Sequence, residues 1–470
     1  MSQRIFVDRE RELRDLEERH ATDTAECIVL YGRRRVGKTA LLLRFLEEKP
    51  GIYFLASEEG DVQNIREFAH HAAQFLQDPA FELPRYPDWP SLFTAMVRHT
   101  GFAGRFSGTK IVIVIDEFPY LIAKNPAIPS IFQKCWDEVF SAAPVMLVLS
   151  GSSVSTMETE VLGIKSPLYG RRTGQWQVQP LAFPYIGQFV PYTTEECTMT
   201  WFVLGGIPAY LLRFDPGRPF WENVKSAILS RGAYLAMEGD LLLTYEFREP
   251  ANYRMIFRAL ASGCTTLADI CNTTGLDKSM VSKYLSVLVR LRLIDEEIPV
   301  TAAPNFRKRH YVISDPYLSF YFRYIVPNRI DLEAERTDEV LERIRTSFPE
   351  YAGRMFETLC TDLIRTGLLF ADLHFTTLGR WWHKEQEIDI VGLDESSGRA
   401  LFCECKWRSL SRTDAERILS GLEKKSLEVR WRNSQRTEIF CLVGKRITGK
   451  EELRARGYLV YDLEDFPTEI

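Results

Sequence analysis

An eight-residue run near the N-terminus has the residue types and spacing that bind phosphate. Residues 32–39 fit the pattern G-x-x-x-x-G-K-[ST] and follow the apolar residues 27–31, which are typical of a buried strand. The glycines let backbone N–H groups turn toward the β- and γ-phosphates, Lys38 reaches the same oxygens, and the Thr39 hydroxyl can hold Mg²⁺. A helix that follows the loop points its N-terminus at the anion. The predicted nucleotide-contacting residues are Gly32, Arg33, Arg34, Arg35, Val36, Gly37, Lys38, Thr39 and Ala40.

A second run supplies the acids that such a loop requires. Residues 110–115 are mostly β-branched and end in Asp116 and Glu117, which indicates a buried strand with two carboxylates at its carboxyl edge. Asp116 is expected to hold the Mg²⁺ through water, and Glu117 to orient and polarise the water that attacks the γ-phosphate. The adjacent Glu117 favours ATP hydrolysis over nucleotide holding alone.

Two further groups are candidates for contacts to the γ-phosphate. The apolar residues 145–149 lead into Ser150 and Ser152, either of which could act as a polar sensor. Arg171 and Arg172 could stabilise the charge of the transition state, or could equally form a salt-bridged surface pair. A finger arginine supplied by a neighbouring subunit would imply a homo-oligomer, but these arginines could also act within their own chain.

A separate constellation lies in the C-terminal quarter of the chain. Residues 387–391 and 401–407 read as two strands of a hairpin, which carries Asp389, Glu404 and Lys406. Since residues two apart in a strand share a face, Glu404 and Lys406 emerge together beside Asp389. Oxygen ligands suit Mg²⁺ or Mn²⁺, so Asp389 and Glu404 are predicted metal ligands, and the lysine can stabilise or deprotonate a water that attacks phosphorus.

Length and composition set the frame for these elements. At 470 residues the chain is too long for one hydrophobic core, and 45% hydrophobic with 26% charged residues is ordinary for a globular protein. The net charge of -5 argues against a general nucleic-acid coat but allows local basic patches. Nine cysteines without paired spacing indicate reduced thiols. Residues 1–5 lack a signal-peptide pattern and no run is long enough for a membrane span, so we expect a cytoplasmic location and no membrane partner.

The pattern of residues 251–323 predicts three short helices and a basic hairpin, which is the arrangement of a winged helix-turn-helix. Thr266 is the predicted cap of the second helix, and residues 294–313 the predicted wing. Such a module either contacts DNA or serves as a rigid spacer or nucleotide-sensing lid. The residues placed for a groove or for phosphates are Lys278, Ser279, Ser282, Lys283, Arg307, Lys308, Arg309 and His310.

Near the C-terminus, residues 421–457 hold ten Lys or Arg against five Glu, with Trp431 among them. Such a patch could track a phosphate backbone, or could be a solvated helix face.

Several of these motifs together resemble the archaeal-type ATPases, an AAA-like branch of P-loop NTPases related to signalling ATPases of the STAND class. They are the phosphate loop, the acid-ended strand, residues 168–172, residues 205–210 and the entry segment 6–13. The resemblance implies a parallel sheet in which the acid strand is inserted between the loop strand and its neighbour. It also implies a helical lid over residues 186–245, with 205–208 as a turn, and an entry segment that packs beside the adenine, which makes Arg9 a nucleotide-site candidate.

The C-terminal constellation resembles the PD-(D/E)xK restriction-endonuclease-like superfamily. Its position behind the ATPase core, with residues 379–382 before the acids, looks like the nuclease-like domain that closes many archaeal-type ATPases. By that pattern Asp389 and Glu404 would bind metal, Lys406 would assist the nucleophile, and Glu357 on the preceding helix would be an accessory acid.

The predicted fold class is therefore α/β. It comprises a parallel-sheet P-loop ATPase core, a helical lid, a winged helix-turn-helix module and a C-terminal α/β restriction-endonuclease-like domain. The expected boundaries are 1–185, 186–245, 246–328, a linker at 329–347, and 348–470.

The preferred function is ATP hydrolysis linked to a metal-dependent nuclease that acts on DNA. The main alternative is an ATP-dependent switch or scaffold whose C-terminal domain is catalytically silent and binds nucleic acid or protein. A weaker third hypothesis is a transcriptional regulator that reads DNA with the winged helix.

Overall fold

The computed structural model describes residues 5–103, 109–247, 249–303 and 305–467. The chain forms two compact units: Met1–Leu181 with Ile207–Ala209, and Ala182–Gly206 with Tyr210–Ile470. Residues 1–4, on which the prediction about a signal peptide partly rested, lie outside the described residues.

The N-terminal unit is built on five parallel strands in the order β2-β3-β4-β1-β5. Every residue of β1, β3 and β4 is buried, as expected of strands covered on both faces. The strand bounds are β1 Glu26–Tyr31, β2 Gly51–Leu55, β3 Ile111–Asp116, β4 Val145–Gly151 and β5 Gly174–Gln177.

The predicted place of the acid strand was wrong. Strand β3 carries the acids, but β4 lies between β3 and the loop strand β1. The apolar run of β4 is buried on both faces, which suits it to this central position. The acids still reach the loop, because the carboxyl ends of parallel strands meet at one edge of the sheet.

An aromatic cluster packs helices against β2 in this unit. Phe54 of β2 contacts Phe68, and Trp89 stacks on Phe93 at 5.4 Å between ring centroids. All four side chains are buried. The helices of the unit are Glu10–His20, Lys38–Leu46, Asp61–Leu76, Trp89–Arg98, Thr100–Ala103, Phe118–Lys124, Ile128–Cys135 and Val154–Thr156.

The second unit begins with helices over the segment predicted as a lid and continues with the three helices predicted before the hairpin. Thr266 and Asp277 cap the last two of these three, because each side chain accepts a hydrogen bond from the first turn. The helices up to this point are Thr194–Leu204, Pro208–Leu211, Phe220–Val224, Glu238–Glu246, Pro250–Ala261, Leu267–Thr274 and Lys278–Arg290. The first two residues of the helix Pro208–Leu211, Pro208 and Ala209, group with the N-terminal unit.

A two-stranded antiparallel hairpin follows, formed by β6 Ile294–Glu297 and β7 His310–Ile313. The next helix, Pro316–Phe320, buries Tyr317 and Phe320, so its aromatic residues are core, as predicted.

The segment 329–347, predicted as a linker, is helical instead. It forms the helix Arg329–Glu333 and the first turns of Thr337–Arg365, a helix of 29 residues with Pro349 inside. Its apolar residues Val340 and Ile344 are four apart and buried on one helix face, which the acidic composition concealed.

The C-terminal part of the second unit is a mixed five-stranded sheet in the order β12-β11-β10-β9-β8. The predicted hairpin is present, since β9 and β10 pair antiparallel. The strands are β8 Thr377–His383, β9 Gln386–Asp394, β10 Arg399–Leu410, β11 Thr437–Ile447 and β12 Leu459–Tyr461, with helices Arg412–Ser426 and Lys450–Ala455. All nine cysteines are free thiols, as predicted.

Candidate functional site

The phosphate loop leaves β1 at the carboxyl edge of the parallel sheet and runs into the helix Lys38–Leu46. Gly32 has no room for a side chain, because a Cβ there would lie 2.5 Å from the carbonyl oxygen of Val178. Gly37 has a φ of +101°, a left-handed conformation that glycine adopts without strain. Both glycines of the motif are therefore required by the backbone.

The two polar side chains after Gly37 are already oriented. The Lys38 ammonium donates hydrogen bonds to the main-chain carbonyls of Gly32, at 2.8 Å, and Arg33, at 3.1 Å, so it lies within the curve of the loop. The Thr39 hydroxyl donates to Asp116 Oδ2 at 2.8 Å. Loop and acid strand thus meet at one point, as their positions at one sheet edge predict. Val36 is fully buried below the loop, while Ala40 is exposed on its first helical turn.

Asp116 is held by a residue that the sequence reasoning missed. The Tyr53 hydroxyl on β2 donates to Asp116 Oδ2 at 2.7 Å, and the Glu117 N–H donates to Oδ1 at 3.0 Å. Burial and then the Asp116 charge raise the pKa of Tyr53 well above its usual range, so the phenol keeps its proton and remains a donor. No motif marks Tyr53, since its role depends on β2 lying beside β3.

Glu117 has a left-handed backbone, with a φ of +54°, which is uncommon for a residue other than glycine. Its carboxylate accepts hydrogen bonds from the Ser152 hydroxyl at 2.7 Å and from the Ser152 N–H at 3.2 Å. Ser152, at the end of β4, is therefore placed beside the predicted general base.

Ser150 is the other predicted sensor. Its hydroxyl is completely buried and, within the described part of the chain, has no hydrogen-bond partner. A buried polar atom without a partner is costly, and a phosphate oxygen or a water is a group that could satisfy it. Together with the oxygens of Thr39 and Asp116, this donor set suits Mg²⁺ and a nucleotide.

Two arginines, Arg34 of the loop and Arg9 of the entry segment, contact protein groups around the loop. Arg34 donates to the Tyr120 hydroxyl at 2.6 Å, and Arg35 has a φ of +73°. Arg9 is buried and donates to the carbonyls of Val36 and Gln179, each at 2.9 Å. Arg9 thus braces the loop from behind.

The finger candidates have protein partners. Arg171 pairs with Asp137 through two contacts of 3.1 and 3.3 Å. Arg172 donates to the Leu162 carbonyl at 3.1 Å and lies over the Tyr169 ring.

The C-terminal constellation converges in space. Lys406 Nζ is 2.8 Å from Asp389 Oδ2 and 2.6 Å from Glu404 Oε2, and the Cys405 N–H donates to Asp389 Oδ2 at 2.8 Å. Both carboxylates are nearly inaccessible, at 5% and 4% exposure. Burial alone lowers the pKa of Lys406, but the two carboxylates outweigh it and raise that pKa, so the ammonium stays charged.

A second lysine completes this site. Lys425, on the helix Arg412–Ser426, lies 2.7 Å from Glu404 Oε1. From the sequence, Lys425 was predicted only as a member of the basic patch at residues 421–457. Its position after the buried Leu422, on a helix that packs against the sheet, is the signal that could have identified it.

Glu357 lies on the helix Thr337–Arg365, with Arg380 3.5 Å away. Burial and then the Asp389 charge raise the pKa of Glu357 to about 8. Among the described residues no cluster of three or more His, Cys, Asp or Glu side chains is arranged for a metal ion. Two carboxylates nevertheless fit Mg²⁺, which commonly keeps several waters and takes one or two protein carboxylates.

The basic residues predicted for nucleic acid have mixed placements. Lys278, Ser279 and Lys283 are exposed and Ser282 is half-buried on the helix Lys278–Arg290, whereas Arg309 is paired with Glu296 and His310 stacks on Trp382. Seven of the ten basic residues in 421–457 form ion pairs with carboxylates. These seven are Lys425, Arg432, Arg436, Lys445, Lys450, Arg454 and Arg456.

The fold and the loop define a P-loop ATPase, and comparison with known proteins agrees. A family model described as an ATPase domain predominantly from Archaea matches residues 6–214. A second model, described as archaeal and bacterial proteins of unknown function, matches residues 321–418. A solved structure, the Walker-type ATPase PABY2304 of Pyrococcus abyssi, is 22% identical and covers 68% of this chain and 96% of its own, with a TM-score of 0.51.

One relative matches from end to end. The uncharacterized protein MJECL04 of Methanocaldococcus jannaschii is 36% identical over 465 residues, which are 98% of this chain and 100% of that protein. The uncharacterized ATP-binding protein MJ0423 of the same organism is 53% identical over 45 residues, 10% of this chain and 76% of that protein. The chain belongs to the family of MJECL04. In the ranges that the structure covers, no helix is long and apolar enough to span a bilayer.

Proposed function

We propose that this ATPase also cuts DNA, with a metal-dependent nuclease site in its second unit. The observation that carries the proposal is the convergence of Asp389, Glu404 and Lys406 on two paired strands. Two carboxylates and a lysine at hydrogen-bond distance are the groups that phosphodiester hydrolysis needs. Glu357 lies on the neighbouring helix as an accessory acid.

At the nucleotide site, Lys38 would bind the phosphates, and Thr39 and Asp116 would hold Mg²⁺. Glu117 would accept the proton of the attacking water, while Ser152 keeps its carboxylate in place. A role for Arg171 at the γ-phosphate requires that Arg171 exchange its Asp137 partner.

At the second site, Asp389 and Glu404 would hold Mg²⁺ or Mn²⁺. An ion held there would polarise the phosphate and make a water more acidic. Lys406 would loosen its hydrogen bonds to the Asp389 and Glu404 carboxylates and stabilise the negative charge that develops on the phosphate oxygens.

The test is cleavage of plasmid and single-stranded DNA by the purified protein with Mg²⁺ or Mn²⁺, with and without ATP. The expected result is cleavage that Asp389→Ala abolishes and that Lys38→Ala alters only when ATP is present. Asp394→Ala is a matched control, since it removes a carboxylate from the far end of the same strand. ATP hydrolysis without cleavage of any substrate would overturn the nuclease proposal.

A second candidate function is an ATP-dependent switch or scaffold with a silent C-terminal unit. The observation in its favour is that Lys406 and Lys425 together bind the Glu404 carboxylate at both oxygens, so that charge is compensated by protein alone. Wild-type protein that binds DNA equally well with EDTA and with Mg²⁺, and cuts none, would favour this function.

A further inference from the structure

A cavity of about 830 Å³ lies in the second unit beside the candidate nuclease site. Its walls are the β6–β7 hairpin, the helix Thr337–Arg365 and the first half of β8, and both Glu357 and Asp389 line it. The charged groups on the walls are six carboxylates and four arginines: Asp295, Glu296, Glu297, Glu357, Asp362 and Asp389, with Arg323, Arg354, Arg365 and Arg380.

The hairpin is fixed to the edge strand of the C-terminal sheet by two contacts. The Val300 N–H donates to the Arg380 carbonyl at 3.0 Å. The His310 ring stacks on Trp382, with 4.7 Å between centroids and 10° between planes. Val300 also packs against the hydrophobic cluster that contains Trp381 and Ile388. The hairpin therefore forms one wall of the approach to Asp389.

Protection of an edge strand is one reason for such a contact, because uncovered edges pair with other chains. That role alone does not account for the open space between the hairpin and the helix Thr337–Arg365. The space is also lined by arginines, which suit phosphate, and by apolar groups such as Leu378 and Ile298, which suit a base.

The cavity is one approach to Asp389, and its size limits the ligands that reach Asp389 from the hairpin side. Pockets of roughly 300–1,000 Å³ hold one small ligand. A double helix is too wide to enter such a pocket, because its major groove alone is about 12 Å across. A strand end of one or two nucleotides is a ligand of suitable size. Because carboxylates outnumber arginines on the walls, we expect a divalent cation to strengthen the binding of a phosphate chain there.

We propose that the β6–β7 hairpin restricts the second site to an unpaired DNA strand, and that duplex DNA is excluded while the hairpin stays on β8. This inference rests on the proposed nuclease function and specifies its substrate. The hairpin acts by position, and the roles proposed for Asp389, Glu404 and Lys406 are unchanged.

The test compares a 5′-labelled single-stranded oligonucleotide with the same sequence as a blunt duplex, in Mg²⁺, for the full chain. Wild type is expected to cut the single strand at least tenfold faster. His310→Ala removes the stack and should reduce that ratio at least fivefold, whereas His310→Phe keeps an aromatic ring and should retain it. Trp382→Ala opens the same contact from the other side and replaces His310→Ala if that variant fails to fold.

Equal rates on the two substrates in wild type, or a ratio that both alanine variants leave unchanged, would overturn the inference while the nuclease function stands. If wild type cuts neither substrate, the nuclease function fails, and binding decides the inference. In that case fluorescence anisotropy is measured in Ca²⁺, which oxygen ligands also accept. Preference for the single strand that His310→Ala removes supports the inference, and equal or absent binding overturns it.

Discussion

Replacement of Lys425 by methionine tests whether the two lysines hold the Glu404 carboxylate. Lys425 donates to Glu404 Oε1 at 2.7 Å, and the carboxylate is almost fully buried. A hydrogen bond to a charged group contributes about 1.5–3 kcal/mol, and loss of one partner of a buried charge costs as much or more. Because the Lys425 side chain is 30% exposed and Lys406 remains, we expect the lower part of this range, about 1.5–2 kcal/mol.

The measurement is scanning calorimetry, in which added nucleotide identifies the transition of the N-terminal unit. At roughly 2–4 °C per kcal/mol, Lys425→Met should lower the midpoint of the second unit's transition by about 3–8 °C. Lys424→Met is the matched control, since that neighbour is exposed on the same helix, and it should shift the transition by less than about 1 °C.

Magnesium distinguishes this explanation from a general loss of packing. Without Lys425, one oxygen of Glu404 has lost its donor, so an ion can bind there without displacing an ammonium. Mg²⁺ should therefore raise the midpoint of Lys425→Met more than that of wild type. Equal midpoints for Lys425→Met and Lys424→Met, in EDTA, would refute the reasoning about the carboxylate. A midpoint that does not respond to Mg²⁺ would refute the metal assignment.

Four further predictions follow from single contacts. In metal-free protein, burial and the Asp389 charge raise the pKa of Glu357 from 4.5 to about 8, so the folded state keeps a proton that the unfolded chain has lost. The free energy of unfolding should therefore fall as pH rises from about 5 to 8. In urea melts, Glu357→Gln should flatten that fall. Arg9→Ala removes two hydrogen bonds to main-chain carbonyls and should cost about 2–4 kcal/mol and weaken ATP binding in titration calorimetry, unlike the exposed Arg11→Ala. Ser152→Ala frees the Glu117 carboxylate and should lower phosphate release about tenfold or more with nucleotide affinity unchanged. Trp89→Ala should destabilise the N-terminal unit by about 3–5 kcal/mol in chemical denaturation, because it empties the centre of the aromatic cluster.

The phosphate loop and the acid strand of the N-terminal unit were predictable because their signals are local. A glycine loop between a strand and a helix, and an apolar strand that ends in two acids, each indicate structure and position within ten residues. The same holds for the caps Thr266 and Asp277, and for the β9–β10 hairpin that brings Asp389 to Lys406.

The features that were missed depend on which elements become neighbours. The order of β3, β4 and β1 is set by packing on both faces of the sheet and leaves no local mark. Tyr53 and Lys425 act on carboxylates 63 and 21 residues away. The acidic composition of residues 329–347 led to the prediction of a linker. The two buried apolar residues Val340 and Ile344 are spaced as on one face of a helix.

The long helix Thr337–Arg365 has a mechanical consequence. At 1.5 Å per residue its 29 residues make a rod of about 43 Å. Pro349 interrupts its hydrogen bonding near the middle, which makes that point the softest along the rod. Glu357 lies eight residues beyond, so a bend of about 5° at Pro349 displaces its carboxylate by about 1 Å. The position of the Glu357 carboxylate therefore depends on the bend of the helix at Pro349.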